Sequence, residues 1–280
     1  ASGTITITAG NTTATIQVVT LDDTRDEPDG QTFSVVLGTY SDIADGTGIG
    51  RIDDNDAPPT LSIADNSVVE GSGGGNTVAS MVVTPSLISE KDITVDFATN
   101  NGLATTADGD YTATTSTLTI PALASAGTLS FNITKDDKDE YDETVNVTLS
   151  GGANYTTAGS DLTGVFTILD DDIAPTIQWT ASGQSPNESD GLITLTAELS
   201  AVSGWTITAT NTVTGTSTGA DHNAVTGTVT IVAGQSQTNV VVSLVDDLID
   251  EGDETIIETL SAPVNASLGA TIAHTVTILD

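Results

Sequence analysis

Carboxylates are the residues in this sequence whose type and spacing could do chemistry, and they are gathered rather than spread. Of 39 acidic side chains, 29 are Asp and 10 are Glu. Asp is a poor helix and strand former but a good turn residue and a good oxygen ligand. Five short stretches, 22–29, 53–56, 136–143, 170–172 and 246–254, together with Asp280 hold 24 of the 39. Two like charges about 4 Å apart repel by roughly 1 kcal/mol in water and about 4 kcal/mol at an effective dielectric of 20. Five or six together therefore cost stability unless a cation neutralises them. The competing reading is a set of solvated acidic turns.

The clusters recur in register, which points to internal repeats. Asp246-Asp247-Leu248-Ile249-Asp250-Glu251-Gly252-Asp253-Glu254-Thr255 matches Lys135-Asp136-Asp137-Lys138-Asp139-Glu140-Tyr141-Asp142-Glu143-Thr144 without a gap, 111 residues apart. The same pattern begins at Asp22-Asp23-Thr24-Arg25-Asp26-Glu27, 113 residues before the second copy, with one extra residue near its end. A second marker follows each copy: Ile52-Asp53-Asp54-Asn55-Asp56, Ile168-Leu169-Asp170-Asp171-Asp172 and Ile278-Leu279-Asp280. A third is an early Glu, in Val69-Glu70-Gly71 and Asn187-Glu188-Ser189, and a fourth is Asp110-Tyr111 against Asp221-His222. The chain divides on these markers into 1–56, the second half of a unit, and two nearly complete units, 57–172 and 173–280. It reads as a window on a longer array.

The elements that must position these clusters are strands. Thr4-Ile5-Thr6-Ile7, Thr117-Leu118-Thr119-Ile120, Thr228-Val229-Thr230-Ile231 and Thr144-Val145-Asn146-Val147-Thr148-Leu149 alternate polar with apolar side chains, the period of a half-buried strand. Gly, Asn, Asp and Ser clusters punctuate them, and no window carries an apolar stripe of helical period. Short alternating strands in units of about 110 residues indicate antiparallel β-sandwiches. Ala57-Pro58-Pro59 and Ile173-Ala174-Pro175 are short, proline-stiffened joints, so the units are expected to stand in a stiff line. The half unit 1–56 is expected to expose unpaired strand edges, which invite pairing with another chain.

Composition narrows the partners. A net charge of −34, from 5 basic against 39 acidic residues, excludes nucleic-acid binding, which needs Lys and Arg to displace counterions, and adhesion to an anionic membrane surface. The absence of Cys excludes disulfides, thiolate zinc sites and a Cys nucleophile, and no apolar run reaches the ~18 residues that span a bilayer. His222 and His274 are isolated and lack a nucleophile at motif spacing, so packing positions are expected for both. Trp179 is expected to be buried; Trp205 could stack on a sugar. Gly46-Thr47-Gly48-Ile49-Gly50 precedes a strand rather than a helix and is not a phosphate loop. Paired carboxylates can hydrolyse glycosides, but that needs a cleft with aromatic subsites, and only 4% of residues are aromatic. No enzyme activity is expected.

Taken in their fixed order and period, the early Glu, the mid-unit Asp, the Asp-Asp-x-x-x-Glu-x-Asp-Glu-Thr segment and the closing Ile-x-Asp-Asp-Asp resemble the Calx-β domain over the whole chain. The resemblance implies an all-β fold, tandem immunoglobulin-like antiparallel β-sandwiches, and more than one Ca²⁺ at one apex of each. Carried over residue by residue, it implies as ligands Glu188, Asp221, Asp246, Asp247, Glu251 and Asp280 in the last unit, with the Ile249 carbonyl beside them. In the middle unit it implies Glu70, Asp110, Asp136, Glu140, Asp170, Asp171 and Asp172. Lys135 there replaces the first Asp of the pair; an ammonium repels a cation, so fewer or weaker sites are expected. In residues 1–56 it implies Asp22, Asp23, Glu27, Asp54 and Asp56, with Asn55, an incomplete set that lacks its Glu and mid-unit Asp.

Calcium also suits the residues themselves. Ca²⁺ takes 6 to 8 hard oxygen ligands in irregular geometry, whereas Mg²⁺ wants a tight octahedron and zinc wants Cys or clustered His. The terminal Asp runs adjoin the joints, so bound metal would brace each unit against the next. The expected role is a calcium-stiffened structural segment of a long extracellular or cell-surface adhesin, matrix protein or filament, with neighbouring repeats as partners and self-association into a fibre or array as a further expectation. A regulatory calcium sensor and an accessory module of a secreted enzyme are the alternatives.

Overall fold

A computed structural model describes residues 2–38 and 43–279. Strands dominate, and among the described residues the helical content is one 3₁₀ turn, Glu188–Asp190. The expected all-β class is found. The middle unit is built from β3 (Thr60–Ile63), β4 (Asn66–Val69), β5 (Asn76–Pro85), β6 (Ile93–Asn101), β7 (Thr115–Ile120), β8 (Gly127–Thr134), β9 (Glu143–Ala153), β10 (Thr156–Asp161) and β11 (Thr163–Leu169). They form a four-stranded sheet in the order β10-β3-β5-β8 and a five-stranded sheet in the order β4-β11-β9-β6-β7. The last unit repeats this plan with β12 (Thr176–Trp179), β13 (Gly183–Gln184), β14 (Leu192–Leu199), β15 (Ile207–Gly215), β16 (Gly227–Ile231), β17 (Gln237–Ser243), β18 (Glu254–Val264), β19 (Ser267–Leu268) and β20 (Ala273–Ile278). Its sheets run β17-β14-β12-β19 and β13-β20-β18-β15-β16.

Alternation decides which face is buried. In β9, Val145, Val147 and Leu149 point inward and Asn146 and Thr148 outward; in β8, Leu129, Phe131 and Ile133 do the same. Phe166 packs edge-on against Phe131, with ring centroids 5.3 Å apart, and Tyr111 lies edge-on to Phe131 at 6.5 Å. The first strand of each unit is split between the sheets. β3 pairs antiparallel with β5, and β4 then pairs parallel with β11, so the residue after β4, Glu70, arrives beside the end of β11. That crossing brings the early Glu to the closing Asp run, about 100 residues later in the sequence.

Residues 2–30 contain no strand, so the strand expected at Thr4–Ile7 does not form. The counterparts of this stretch are β7 and β8, whose ladders are made with β6 and β5. The described residues ahead of Thr4 hold no equivalent of those partners, and alternation without a partner leaves Ile7, Val19 and Leu21 exposed. β1 (Gln31–Val36) and β2 (Thr47–Ile52) are the counterparts of β9 and β11; both members are present, and they pair antiparallel.

The two sandwiches differ in one interior layer. Register places Glu258 where the middle unit has Val147, His274 where it has Gly164, and Asn211 where it has Phe97. All three are buried, at 1%, 4% and 4% exposure respectively. Asn211 donates through Nδ2 to the Glu258 carboxylate, and Trp179 Nε1 donates to the Glu258 carbonyl at 3.1 Å. Burial pushes the Glu258 carboxyl up, against the opposing pull of Asn211, His222 and His274. Removing one partner of a buried polar set leaves the other unpaired, at about 1–3 kcal/mol, whereas replacing both with apolar groups is nearly neutral. Glu258→Val alone should therefore lower the melting temperature of the last unit. Adding Asn211→Phe, which restores the pair found in the middle unit, should recover most of the loss in a calorimetric scan.

Candidate metal centres

Loops at one end of each sandwich gather the carboxylates. In the middle unit, Glu70, Asp170 and Asp172 bring one carboxylate oxygen each to within 4.8 Å of one another. Glu70 Oε1 and Asp172 Oδ2 are buried with no hydrogen-bond partner. Burial pushes the Glu70 carboxyl up to about 8, and Asp136, Asp170, Asp172 and Glu140 add to the push. Burial likewise raises Asp170, Asp172 and Glu140, so the group as a whole resists carrying its charges. Asp136 takes part through its field and through an Asx turn, in which its Oδ1 accepts from the Lys138 N–H at 2.8 Å. Asp110 Oδ2 accepts from the Thr105 N–H at 2.6 Å. Asp171 is not drawn in: it is exposed, and its Oδ1 accepts from the Gly71 N–H at 3.0 Å.

In the last unit the group is Asp221, Glu251 and Glu254, again within 4.8 Å, and Glu188 lines the same small cleft. Asp221 is held low by hydrogen bonds from the Thr218 N–H and hydroxyl, at 2.8 and 2.9 Å. Glu251 is exposed, yet some loss of hydration raises its carboxyl, and the neighbouring charges of Asp221, Glu254, Asp247 and Glu188 raise it further. Asp247 Oδ1 accepts from the Ile249 N–H at 2.7 Å, and Asp246 is exposed. Asp280 lies outside the described residues. In the first segment Asp22, Asp23 and Asp54 add to the burial that raises Asp56, and the Glu27 N–H donates to Asp54 Oδ2 at 3.1 Å. Its carboxylates are thus neighbours, but no triplet as tight as the other two forms among the described residues.

Two kinds of residue escaped the sequence reading. Glu254 is a member of the last unit's triplet, and its register equivalent Glu143 is raised to about 7 by burial, Asp110 and Glu140. Both stand in the Asp-Glu-Thr of the repeat and close the acidic stretches 136–143 and 246–254, but the ligand set implied by the resemblance passes over them; their alignment in two clusters was the available signal. The cation that enters the middle cluster is Lys138 rather than Lys135. Burial lowers the Lys138 ammonium, but its ion pair with Glu140 and the fields of Asp110 and Asp136 outweigh that and raise it. Lys135 instead lies along Gly71.

The model of the Calx-beta domain matches residues 1–50, 53–172 and 170–280. The chain belongs to the Calx-beta domain family. No curated protein sequence matches it. Similar solved structures include CBD12 from CALX1.2, at 16% identity and a TM-score of 0.35, covering 78% of this chain and 100% of that one. Calcium binding domain CBD12 of CALX1.1 follows at 17% identity and a TM-score of 0.38, covering 75% and 82%. The apo-form Calx CBD1 domain gives 20% identity and a TM-score of 0.33, covering 40% and 99%.

The Calx-beta apex of the middle unit fits a hard cation on its own chemistry: all donors are oxygens, two of them are buried and unpartnered, and most of the carboxylates are held above their ordinary pKa. Since the Glu70 carboxyl titrates near 8 in the folded unit and near 4.5 unfolded, its protonated form stabilises the fold fully below the lower value, and that stability is lost as pH rises through the upper one. Glu70→Gln should therefore stabilise the metal-free protein at pH 9 by about 1–3 kcal/mol, seen as a higher melting temperature, with the gain vanishing towards pH 4.5. Melting in chelator across that range checks it.

Proposed function

We propose that this chain binds calcium at its Calx-beta apices and serves as a calcium-stiffened spacer in an extracellular surface or matrix protein. The observation that carries the reading is the orphaned pair, Glu70 Oε1 and Asp172 Oδ2, buried inside a carboxylate triplet. Buried anions without partners cost several kcal/mol and call for a counter-ion. Calcium accepts many oxygens in irregular geometry and so suits loop carboxylates; it would supply the positive charge that gathers them. In the middle unit Glu70, Asp136, Glu140, Asp170 and Asp172 would hold it, with Asp110 and Glu143 alongside. In the last unit Glu188, Asp221, Asp247, Glu251 and Glu254 would do so.

Stiffening is supported by where the acidic loops lie. Asp139 and Glu140 abut Ser203 and Gly204 of the following unit, so charge at the apex acts directly on the joint. An exterior setting is supported by the composition: 39 acids, no Cys, and sites open enough to suit millimolar calcium.

Thermal melts in excess EDTA, in millimolar Ca²⁺ and in millimolar Mg²⁺ test this. A site that binds only the folded form adds about 2.7 kcal/mol at a hundredfold excess over Kd. The expected result is a large rise in calcium and a small one in magnesium, with Glu70→Gln abolishing the gain of the middle unit alone. A melting profile indifferent to calcium would leave the acidic loops as solvated turns.

A further inference from the structure

The two joints in the chain are made by the same residues, although their sequences look unrelated. At the first, the Asp26 carbonyl accepts from the Ser89 hydroxyl and from the Glu90 N–H, both at 3.0 Å, and Asp26 Oδ2 accepts from the same hydroxyl at 3.1 Å. At the second, the Asp139 carbonyl accepts from the Ser203 hydroxyl at 3.1 Å and from the Gly204 N–H at 2.9 Å, and Asp139 Oδ2 lies 3.4 Å from that hydroxyl. Each Ser Oγ also accepts from the N–H two residues on, Lys91 at 3.0 Å and Trp205 at 3.1 Å. Each Ser carbonyl is braced by the turn behind it, through the N–H of Leu123 at 2.8 Å and of Gly234 at 2.9 Å. Ser89 and Ser203 are 2% and 1% exposed. A seryl elbow on one unit thus engages an aspartyl hook on the preceding one. Variable side chains complete the contact: Lys91 Nζ reaches Asp26 Oδ1 at 2.7 Å in the first joint, and Trp205 stacks on Tyr141 at 3.6 Å in the second.

The last unit carries the third hook. Its Asx turn, closed by the Ile249 N–H on Asp247, repeats those of Arg25 on Asp23 and Lys138 on Asp136, at 2.7, 2.8 and 2.8 Å respectively. Here, however, Asp250 is exposed, Leu248 is fully exposed and Ile249 is 61% exposed. In the first joint the equivalent pair, Thr24 and Arg25, faces Ser86, Leu87 and Ile88 across an open cleft, which leaves Leu87 and Ile88 50% and 40% exposed.

We infer that the Asp250 loop is an open docking surface for another Calx-beta unit that presents a free seryl elbow, with Leu248 and Ile249 packing on that unit's apolar Leu87–Ile88 counterpart. The hook and elbow lie on opposite sides of the contact, so the association is heterologous and runs head to tail. The inference rests on the joint geometry and not on the calcium reading.

The test uses the full chain and residues 57–280. All strands of the two sandwiches fall between Thr60 and Ile278, and both cores begin at or after Leu61, so the shorter chain keeps its fold while its Ser89 elbow is uncovered. Mixed with the full chain at up to roughly millimolar concentration, the effective concentration a short linker supplies, residues 57–280 should associate in sedimentation equilibrium. The full chain alone, with both elbows engaged, should remain monomeric. Ser89→Ala in the shorter chain, or Asp250→Ala in both chains, should weaken association at least tenfold; Asp250 is exposed, so its variant folds regardless. A mixture that stays monomeric, or an association that ignores both substitutions, overturns the inference. Runs in calcium and in chelator separate the outcomes: association in both leaves the joint standing whatever becomes of the metal sites.

Discussion

Mutual repulsion among carboxylates is the constraint on which the rest of this structure depends. Each sandwich is stable for ordinary reasons, with inward Val, Ile, Leu and Phe on facing sheets. Its apex is not. Glu70 is pushed up to about 8 and Glu143 to about 7 because burial and like charge both penalise the ionised form. Loops so arranged are held together by what surrounds them: backbone donors such as the Glu140 N–H on Asp170, and Asx turns such as that on Asp136. Those hydrogen bonds orient the loops without cancelling the charge.

The three apices meet that constraint differently. All five basic residues of the chain fall in its first two segments. Lys91 crosses the first joint to Asp26 and comes within 3.8 Å of Asp54, while Arg25 reaches Glu90 at 3.5 Å. Lys138 enters the middle cluster. The last unit has no Lys or Arg at all, and its Asp221 is quieted by neutral donors from Thr218 instead. Divergence between repeats has therefore fallen largely on counter-charge, while most carboxylates stay in register and Lys135 takes the place of Asp246.

Much of this was legible in the sequence, and the failures have physical causes. The repeat period and the strand alternation follow from spacing, whereas the gathering of Glu70 with Asp170 and Asp172 was implied by the family resemblance and is brought about by β4 lying beside β11. Thr4–Ile7 misled because alternation records which face a strand would bury, not whether a neighbour exists to complete its ladder. Asp171 was carried over from the resemblance with Asp170 and Asp172, yet consecutive side chains leave the backbone in different directions, and the middle one bonds Gly71. Glu143 and Glu254 were missed because the carried-over ligand set passes over them; each begins a strand, and a strand's first residue can still face the loop before it.

The joints were the least legible feature. Leu-Ile-Ser-Glu-Lys and Ala-Val-Ser-Gly-Trp share only a serine, the kind of match that carries no signal in a chain rich in Ser and Thr. What the two joints share is that serine hydroxyl, the aspartate it engages and a pattern of main-chain donors and acceptors around them, and main-chain groups are common to every residue type. The side chains around that pattern were then free to differ, an ammonium at one joint and an indole at the other. Gly204 marks the limit of that freedom, since a Cβ there would stand 3.0 Å from Glu140 Oε1, whereas Glu90 at the equivalent place faces Arg25. A contact held by one serine, one aspartate and the backbone, and trimmed by other side chains, can be reused along an array with little recognisable sequence, and that is how two dissimilar joints come to hold their units by the same bonds.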